Sequence, residues 1–207
     1  KIQKWALSAG KRTEPTPVDS TEPSHSAQAA KFLAEESNDS GVPTKKEESM
    51  FSEELTAQYE DTKLNPEGAH IAYKDSLGNL TGGIGHKLSD DEIKQYPEGS
   101  VIPQNVVDGW WKSDMARANK DAKSIFKSFD KQSVEVKGVL VDLAFNMGGP
   151  RLEGFTQLIA ALDSGDYALA AENLKYSTVG EPKLTPYWQQ TGRRAKANYD
   201  ILVKASK

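Results

Sequence analysis

The chain has no cysteine, no long apolar run and little net charge. Without cysteine, its 207 residues can form no disulfide and supply no thiolate. No apolar stretch approaches the roughly 20 residues that a membrane-spanning helix requires. A signal peptide pattern is also missing, and because the sequence starts at Lys1 we expect a processed product or a piece of a longer chain. The net charge of −4 offers no basic field for nucleic acid or an anionic membrane.

The first 49 residues differ from the rest in composition. Residues 11–49 are rich in Ser, Thr, Pro and Glu and contain one aromatic residue, Phe32. Such a segment cannot bury enough apolar area to offset the entropy lost on ordering. We therefore predict an extended tether over residues 1–49, with a short helix over 27–36, followed by a folded domain over residues 50–207.

Apolar residues return at helical spacing from about residue 50. Phe51, Leu55 and Tyr59 recur every four residues, which predicts a first helix over 52–62. Pro103 suits the first turn of a second helix that reaches residue 126. Ser133 is a candidate N-cap for a central core helix that ends at 148–150. Shorter helices are predicted over 156–162, 167–175, 186–190 and 193–204.

A β-hairpin is predicted within the first part of the folded domain. Residues 71–73 and 80–84 have β-like composition and flank the turn-rich stretch 76–79. The expected fold is α+β, with a small β lobe over about 67–100 and a helical lobe over about 101–207. A cleft between two such lobes is a common place for a ligand.

The hairpin region also carries the candidate catalytic groups. Glu67, Asp75 and Thr81 lie within fifteen residues. Cleavage of a glycosidic bond needs a protonated carboxyl at the leaving oxygen and a second group that directs water or stabilises the developing cation. A helix end carrying Glu67 would face the hairpin carrying Asp75 and Thr81, and these three residues are the predicted catalytic set.

The stretch from Glu67 to His86 resembles the catalytic motif of phage lysozymes, the glycoside hydrolase family of the T-even phage enzyme. The shared pattern is Glu-Gly, Tyr-x-Asp, a Gly turn, Thr and then Gly-x-Gly-His. Further along the chain, 101–114, 145–148, 154–156, 170–174 and 191–195 also resemble family segments. The resemblance covers residues from about 50 to 207.

The resemblance implies roles for further residues. Lys87, Phe145, Asn146 and Asn173 match positions at or beside the sugar-binding cleft, although Lys87 falls where the family has an apolar residue. The supporting residues implied are Arg194, which pairs with the catalytic Glu, and the pair formed by His86 and Asp114. A basic partner favours the ionised form of the acid, so burial must oppose it if the acid is to stay protonated.

The same resemblance implies a reaction and a setting. The expected activity is inverting hydrolysis of the β-1,4 bond from N-acetylmuramic acid to N-acetylglucosamine in peptidoglycan, with no metal and no organic cofactor. The expected partners are glycan strands and, through residues 1–49, other virion or tail proteins. The expected place of action is the host wall in the periplasm, from a phage particle or an infected cell.

Several alternatives stay open at this point. Pro66 disfavours helix ahead of it and the gap from Glu67 to Asp75 is one residue shorter than the family's, so Glu60 is a second candidate acid. His86 could be a base, although a structural pairing is favoured. Trp110, Trp111 and Trp188 are assigned to the core, with Trp111 the best candidate for sugar stacking. A lytic transglycosylase, which needs one Glu, and a non-catalytic virion module are the competing functions.

Overall fold

The computed structural model describes residues 44–60, 62–178 and 180–207. The helices are α1 (Lys45–Ala57), α2 (Asp90–Gln95), α3 (Gln104–Ile125), α4 (Val134–Met147), α5 (Gly149–Leu152), α6 (Thr156–Ser164), α7 (Tyr167–Lys175), α8 (Pro186–Thr191) and α9 (Arg193–Ala205), with a 3-10 turn at Phe129–Lys131. The strands are β1 (Tyr73–Lys74), β2 (Leu80–Gly82) and β3 (His86–Lys87). None of these helices is long and apolar enough to cross a bilayer.

Helix α4 is the centre of the main core. Its N-cap is Ser133, whose hydroxyl accepts a hydrogen bond from the Val136 amide at 3.3 Å, and the helix ends at Gly148, as predicted. Nine of its residues are buried, so the helix is apolar on nearly every side. It packs against α1, α3 and α9. Asn146 near the end of α4 lies close to Glu60, which follows α1, and to Arg194 at the start of α9.

Helix α1 begins and ends earlier than its predicted range of 52–62. Its apolar residues Phe51 and Leu55 are buried and, with Val134, form a small core against α4. The polar first turns carry no apolar periodicity, but they contain Glu48, which forms an ion pair with Lys137 of α4 at 2.6 Å. Because α1 ends at Ala57, Glu60 lies in the turn that follows it.

The β lobe is a three-stranded antiparallel sheet in the order β1-β2-β3. Tyr73 pairs with Thr81, and Thr81 pairs in turn with Lys87. The predicted hairpin and the α+β fold are thus confirmed. A second core of Ala72, Leu88, Tyr96, Ile102 and Val107 lies beneath the sheet and joins it to α3. Residues 45–49 of the predicted tether belong to α1. Residues 1–43, with the helix predicted at 27–36, lie outside the described residues.

Candidate active site

A polar cleft of about 540 Å³ separates the sheet from the helical part of the chain. Its walls come from four places: the turn after α1, the hairpin, the end of α4, and the junction of α8 with α9. The lining residues are Gln58, Tyr59, Glu60, Tyr73, Asp75, Ser76, Thr81, Gly85, Lys87, Asn146, Gln190, Thr191, Arg193 and Arg194. Two carboxyl groups, from Glu60 and Asp75, and three cations, from Lys87, Arg193 and Arg194, therefore face one space.

Glu60 is held on the helical side of this cleft by Arg194. An NH2 group of Arg194 donates to Glu60 Oε1 and to the carbonyl oxygen of Thr56, the latter at 3.1 Å. Both side chains are largely buried, with 13% of Glu60 and 5% of Arg194 exposed. On the other side, Gly85 leaves room for the Glu60 carboxyl, because a Cβ at position 85 would overlap Oε2. Glu60 is thus positioned by a cation and by the tip of the hairpin.

Asp75 lies at the opposite wall and closes the turn of the hairpin. Its Oδ1 accepts the Leu77 and Asn79 amides at 2.9 and 2.8 Å, and its Oδ2 accepts Asn79 Nδ2 at 3.0 Å. Desolvation favours the neutral carboxyl, but these hydrogen bonds and the charge of Lys87 outweigh it and lower the pKa of Asp75 below its ordinary value. At neutral pH this side chain carries a negative charge toward the cleft.

Thr81 lies beside Asp75 on the central strand β2. It is only 5% exposed, and its hydroxyl is 3.4 Å from the carbonyl oxygen of Asn79. Since strand residues alternate between faces, the pairing of Thr81 with Tyr73 and Lys87 puts these three side chains on one face of the sheet. A hydroxyl of this kind can both donate to and accept from a water molecule.

His86 ties the sheet to the helices behind the cleft. Its Nδ1 is 2.7 Å from Asp114 of α3, its Nε2 is 3.3 Å from Glu92 of α2, and its ring stacks on Trp110 at 4.4 Å. Burial favours the neutral ring, but the hydrogen bonds and charges of the two carboxylates outweigh this and raise the pKa of His86. The geometry agrees with a structural pairing and gives no sign of a base aimed at the cleft.

Comparison with known families adds a second line of evidence. The family model described as phage lysozyme matches residues 65–196, well over half of the chain. The chain belongs to the phage lysozyme family. That membership implies a glycoside hydrolase that acts on peptidoglycan. The comparison with curated proteins finds no match.

Glu67, the acid first predicted from the phage lysozyme motif, is not brought to the cleft. It is exposed in a turn where Asn65 O accepts the Gly68 amide at 3.0 Å and Asn65 Oδ1 accepts the Ala69 amide at 2.8 Å. The expectation that a helix end carries Glu67 is therefore corrected, because α1 has already ended at Ala57 and Pro66 belongs to this turn. The residue that does face Asp75 and pairs with Arg194 is Glu60.

The predicted substrate-binding residues of the phage lysozyme pattern are divided among three places. Lys87 and Asn146 line the cleft with Asp75. Phe145 instead packs on Trp111 with ring centroids 5.5 Å apart. Asn173 is mostly buried in a separate groove of about 360 Å³. This groove also contains Arg151, whose guanidinium is 3.5 Å from Gln190 of the cleft, so the two spaces adjoin.

Sequence reasoning missed several residues that the structure brings to the site. Tyr59, Gln190 and Arg193 line the cleft, and Asp142 of α4 lies 3.3 Å from Arg194. Glu60 had been kept only as a second candidate, although the register of Phe51, Leu55 and Tyr59 already put it beside the last apolar residue of the first helix. Across the described residues, no group of His, Asp and Glu is arranged to hold a metal ion.

Proposed function

We propose that the chain cleaves the β-1,4 bond from N-acetylmuramic acid to N-acetylglucosamine with inversion, using Glu60 as the general acid. The observation that carries this proposal is the cleft in which the Arg194-bound Glu60 faces Asp75 and Thr81. Family membership supplies the substrate class. The assignment of the acid to Glu60 replaces the earlier assignment to Glu67.

The two carboxyl groups have environments suited to different tasks. Glu60 is mostly buried beside the helical wall, and burial favours the protonated form that a general acid needs. Asp75 is stabilised as a carboxylate by its turn, so it can attract a proton of the attacking water. The Thr81 hydroxyl orients that water, since its own pKa is far too high for it to act alone as a base.

The cleavage then needs three contributions from the chain. Glu60 donates its proton to the glycosidic oxygen as the bond to the anomeric carbon breaks. Asp75 and Thr81 direct water to the opposite face of that carbon, and Asp75 takes up the proton that the water releases. Lys87 and Asn146 lie on the cleft wall and bind polar groups of the sugar rings.

Product analysis tests this proposal. Purified peptidoglycan is digested, and the fragments are separated and identified by mass spectrometry and proton NMR. The proposal predicts reducing N-acetylmuramic acid ends that are first released as the α anomer. Anhydro-muramyl ends as the main product would instead establish a lytic transglycosylase, and an absence of fragments would favour a non-catalytic module of a virion.

We further propose that the residues before α1, which begins at Lys45, tether the folded domain to a phage particle. The support is the composition of this segment, which is polar and rich in proline. Immunodetection of the chain in purified particles tests the tether. A chain present only in the lysate of infected cells would favour a free lysis enzyme.

A further inference from the structure

Arg194 lies between two carboxyl groups, only one of which faces the cleft. Its NH2 group donates to Glu60, and its Nε is 3.3 Å from Oδ1 of Asp142. Asp142 is completely buried and Arg194 is 4% exposed. One permanently charged guanidinium therefore interacts with two carboxyl groups in a region that is largely shielded from water.

Asp142 is held in this place by a second polar contact. Its Oδ2 accepts a hydrogen bond from Asn198 Nδ2 at 2.7 Å, and the same amide nitrogen is 3.0 Å from the Tyr187 hydroxyl. Burial raises the pKa of Asp142 above its ordinary value, and the charge of Arg194 and the hydrogen bond from Asn198 offset that rise only in part. Burial and the charge of Asp142 together raise the pKa of Tyr187, so this hydroxyl stays neutral.

Charge balance decides how the two acids titrate. A single guanidinium compensates one carboxylate, and a second negative charge at short range in a poorly solvated region is strongly disfavoured. The charge on one carboxyl group therefore affects the ionisation of the other, as in any coupled pair.

We propose that Asp142 is a positioning residue that shares Arg194 with Glu60 and thereby favours the protonated form of Glu60. The inference rests on the proposed role of Glu60 as general acid. Asp142 does not contact the cleft. It acts through Arg194, both by fixing the guanidinium and by cancelling part of its charge.

The other charged groups around the cleft either lie across it from Arg194 or are exposed to solvent, whereas Asp142 is buried behind Arg194. Asp75 and Lys87 approach from the hairpin, on the far side of the space. Arg193 is exposed, and solvent screens its charge. Among the described residues that contact Arg194, Asp142 is thus the buried carboxyl on the side away from the cleft. The remaining neighbours are the phenols Tyr59 and Tyr187.

The test is a direct titration of Glu60 in the full chain by carbon-13 NMR, with Glu60→Gln used to assign the side-chain carboxyl signal. In Asp142→Asn the charge that opposes Arg194 is gone, so Glu60 should titrate about one pH unit lower or more. The alkaline limb of kcat/KM should move down by the same amount. At a pH above the alkaline limbs of both the wild type and the variant, kcat/KM should be about tenfold lower in the variant. At a pH below both limbs it should be unchanged, which a merely structural defect would not produce.

Two further variants keep the test decisive. Tyr187→Phe disturbs the same buried network without altering its charge, so it should lower Tm and leave the Glu60 titration in place. If Asp142→Asn does not fold, Asn198→Ala should move the titration in the same direction by less, because Asp142 then ionises less readily. A Glu60 titration unmoved in the folded Asp142 or Asn198 variant, or moved equally by Tyr187→Phe, overturns the inference. A moved titration in a chain without lytic activity supports the coupling and overturns the proposed hydrolysis instead.

Discussion

Replacement of Gly85 by alanine should disable the site while leaving the fold intact. Gly85 has a φ of +69°, and a Cβ there would overlap the Glu60 carboxyl. Glu60 cannot simply swing aside, because Arg194 binds it from the opposite wall. We expect a backbone cost of about 1–2 kcal/mol for alanine in this conformation. A carboxyl displaced by about 1 Å should reduce kcat by roughly 10²-fold.

The matched control for this change is Gly165→Ala. Gly165 has a φ of +79° at the C-cap of α6, and a Cβ there meets nothing within 4 Å. It should therefore lose a similar free energy of unfolding, measured by urea denaturation, and keep wild-type rates in a wall-suspension turbidity assay. A wild-type kcat in Gly85→Ala, or an equal loss of activity in both variants, would refute this prediction.

Three further outcomes follow from the contacts described. His86→Asn should lower the free energy of unfolding by about 1–3 kcal/mol at pH 5.5 and by much less at high pH. The reason is that the pKa of His86 is raised in the folded state, so its pairing with Asp114 stabilises the fold fully below about pH 6.5 and is lost as the pH rises through the folded-state pKa. A loss in urea unfolding that does not depend on pH would contradict this. Leu55→Ala, at a side chain that is 2% exposed, should lower the free energy of unfolding by about 2–5 kcal/mol, whereas Leu77→Ala, 77% exposed, should change it by less than about 0.5 kcal/mol in the same assay. Asp75→Asn should reduce kcat by about 10²-fold or more without lowering Tm by more than a few degrees, and an active variant in the turbidity assay would remove Asp75 from the mechanism.

Much of the fold could be predicted because local signals and burial agree. Ser133 is a common type of N-cap residue and Gly148 a common type of C-cap residue, and the apolar residues between them are buried in one helix. The hairpin was also predictable, since the turn after Asp75 stands between two short β-like runs. The bounds of α1 were not predictable. Its first turns are polar, and the ion pair of Glu48 with Lys137 that stabilises them joins residues far apart in the chain.

The candidate site was predicted in part. Asp75 and Thr81 were found because one hairpin carries both and its turn has a local pattern. The acid was assigned to Glu67 because Glu-Gly is a local motif, whereas the features that favour Glu60 are an arginine from α9 and a glycine from the hairpin. Asp142 was missed for a similar reason, since a carboxyl within an apolar helix has no local sign of its partner. The family model also begins at residue 65, after Glu60.

The central claim is the identity of the general acid, and a comparison of Glu60→Gln with Glu67→Gln tests it most directly. Both changes replace a carboxyl by an amide of nearly equal size, and Tm measured for each confirms that the variant is folded. Glu60→Gln should lose about 10²–10⁴-fold in kcat on purified peptidoglycan, while Glu67→Gln, exposed outside the cleft, should keep the wild-type rate. An active Glu60→Gln together with an inactive Glu67→Gln would contradict this claim.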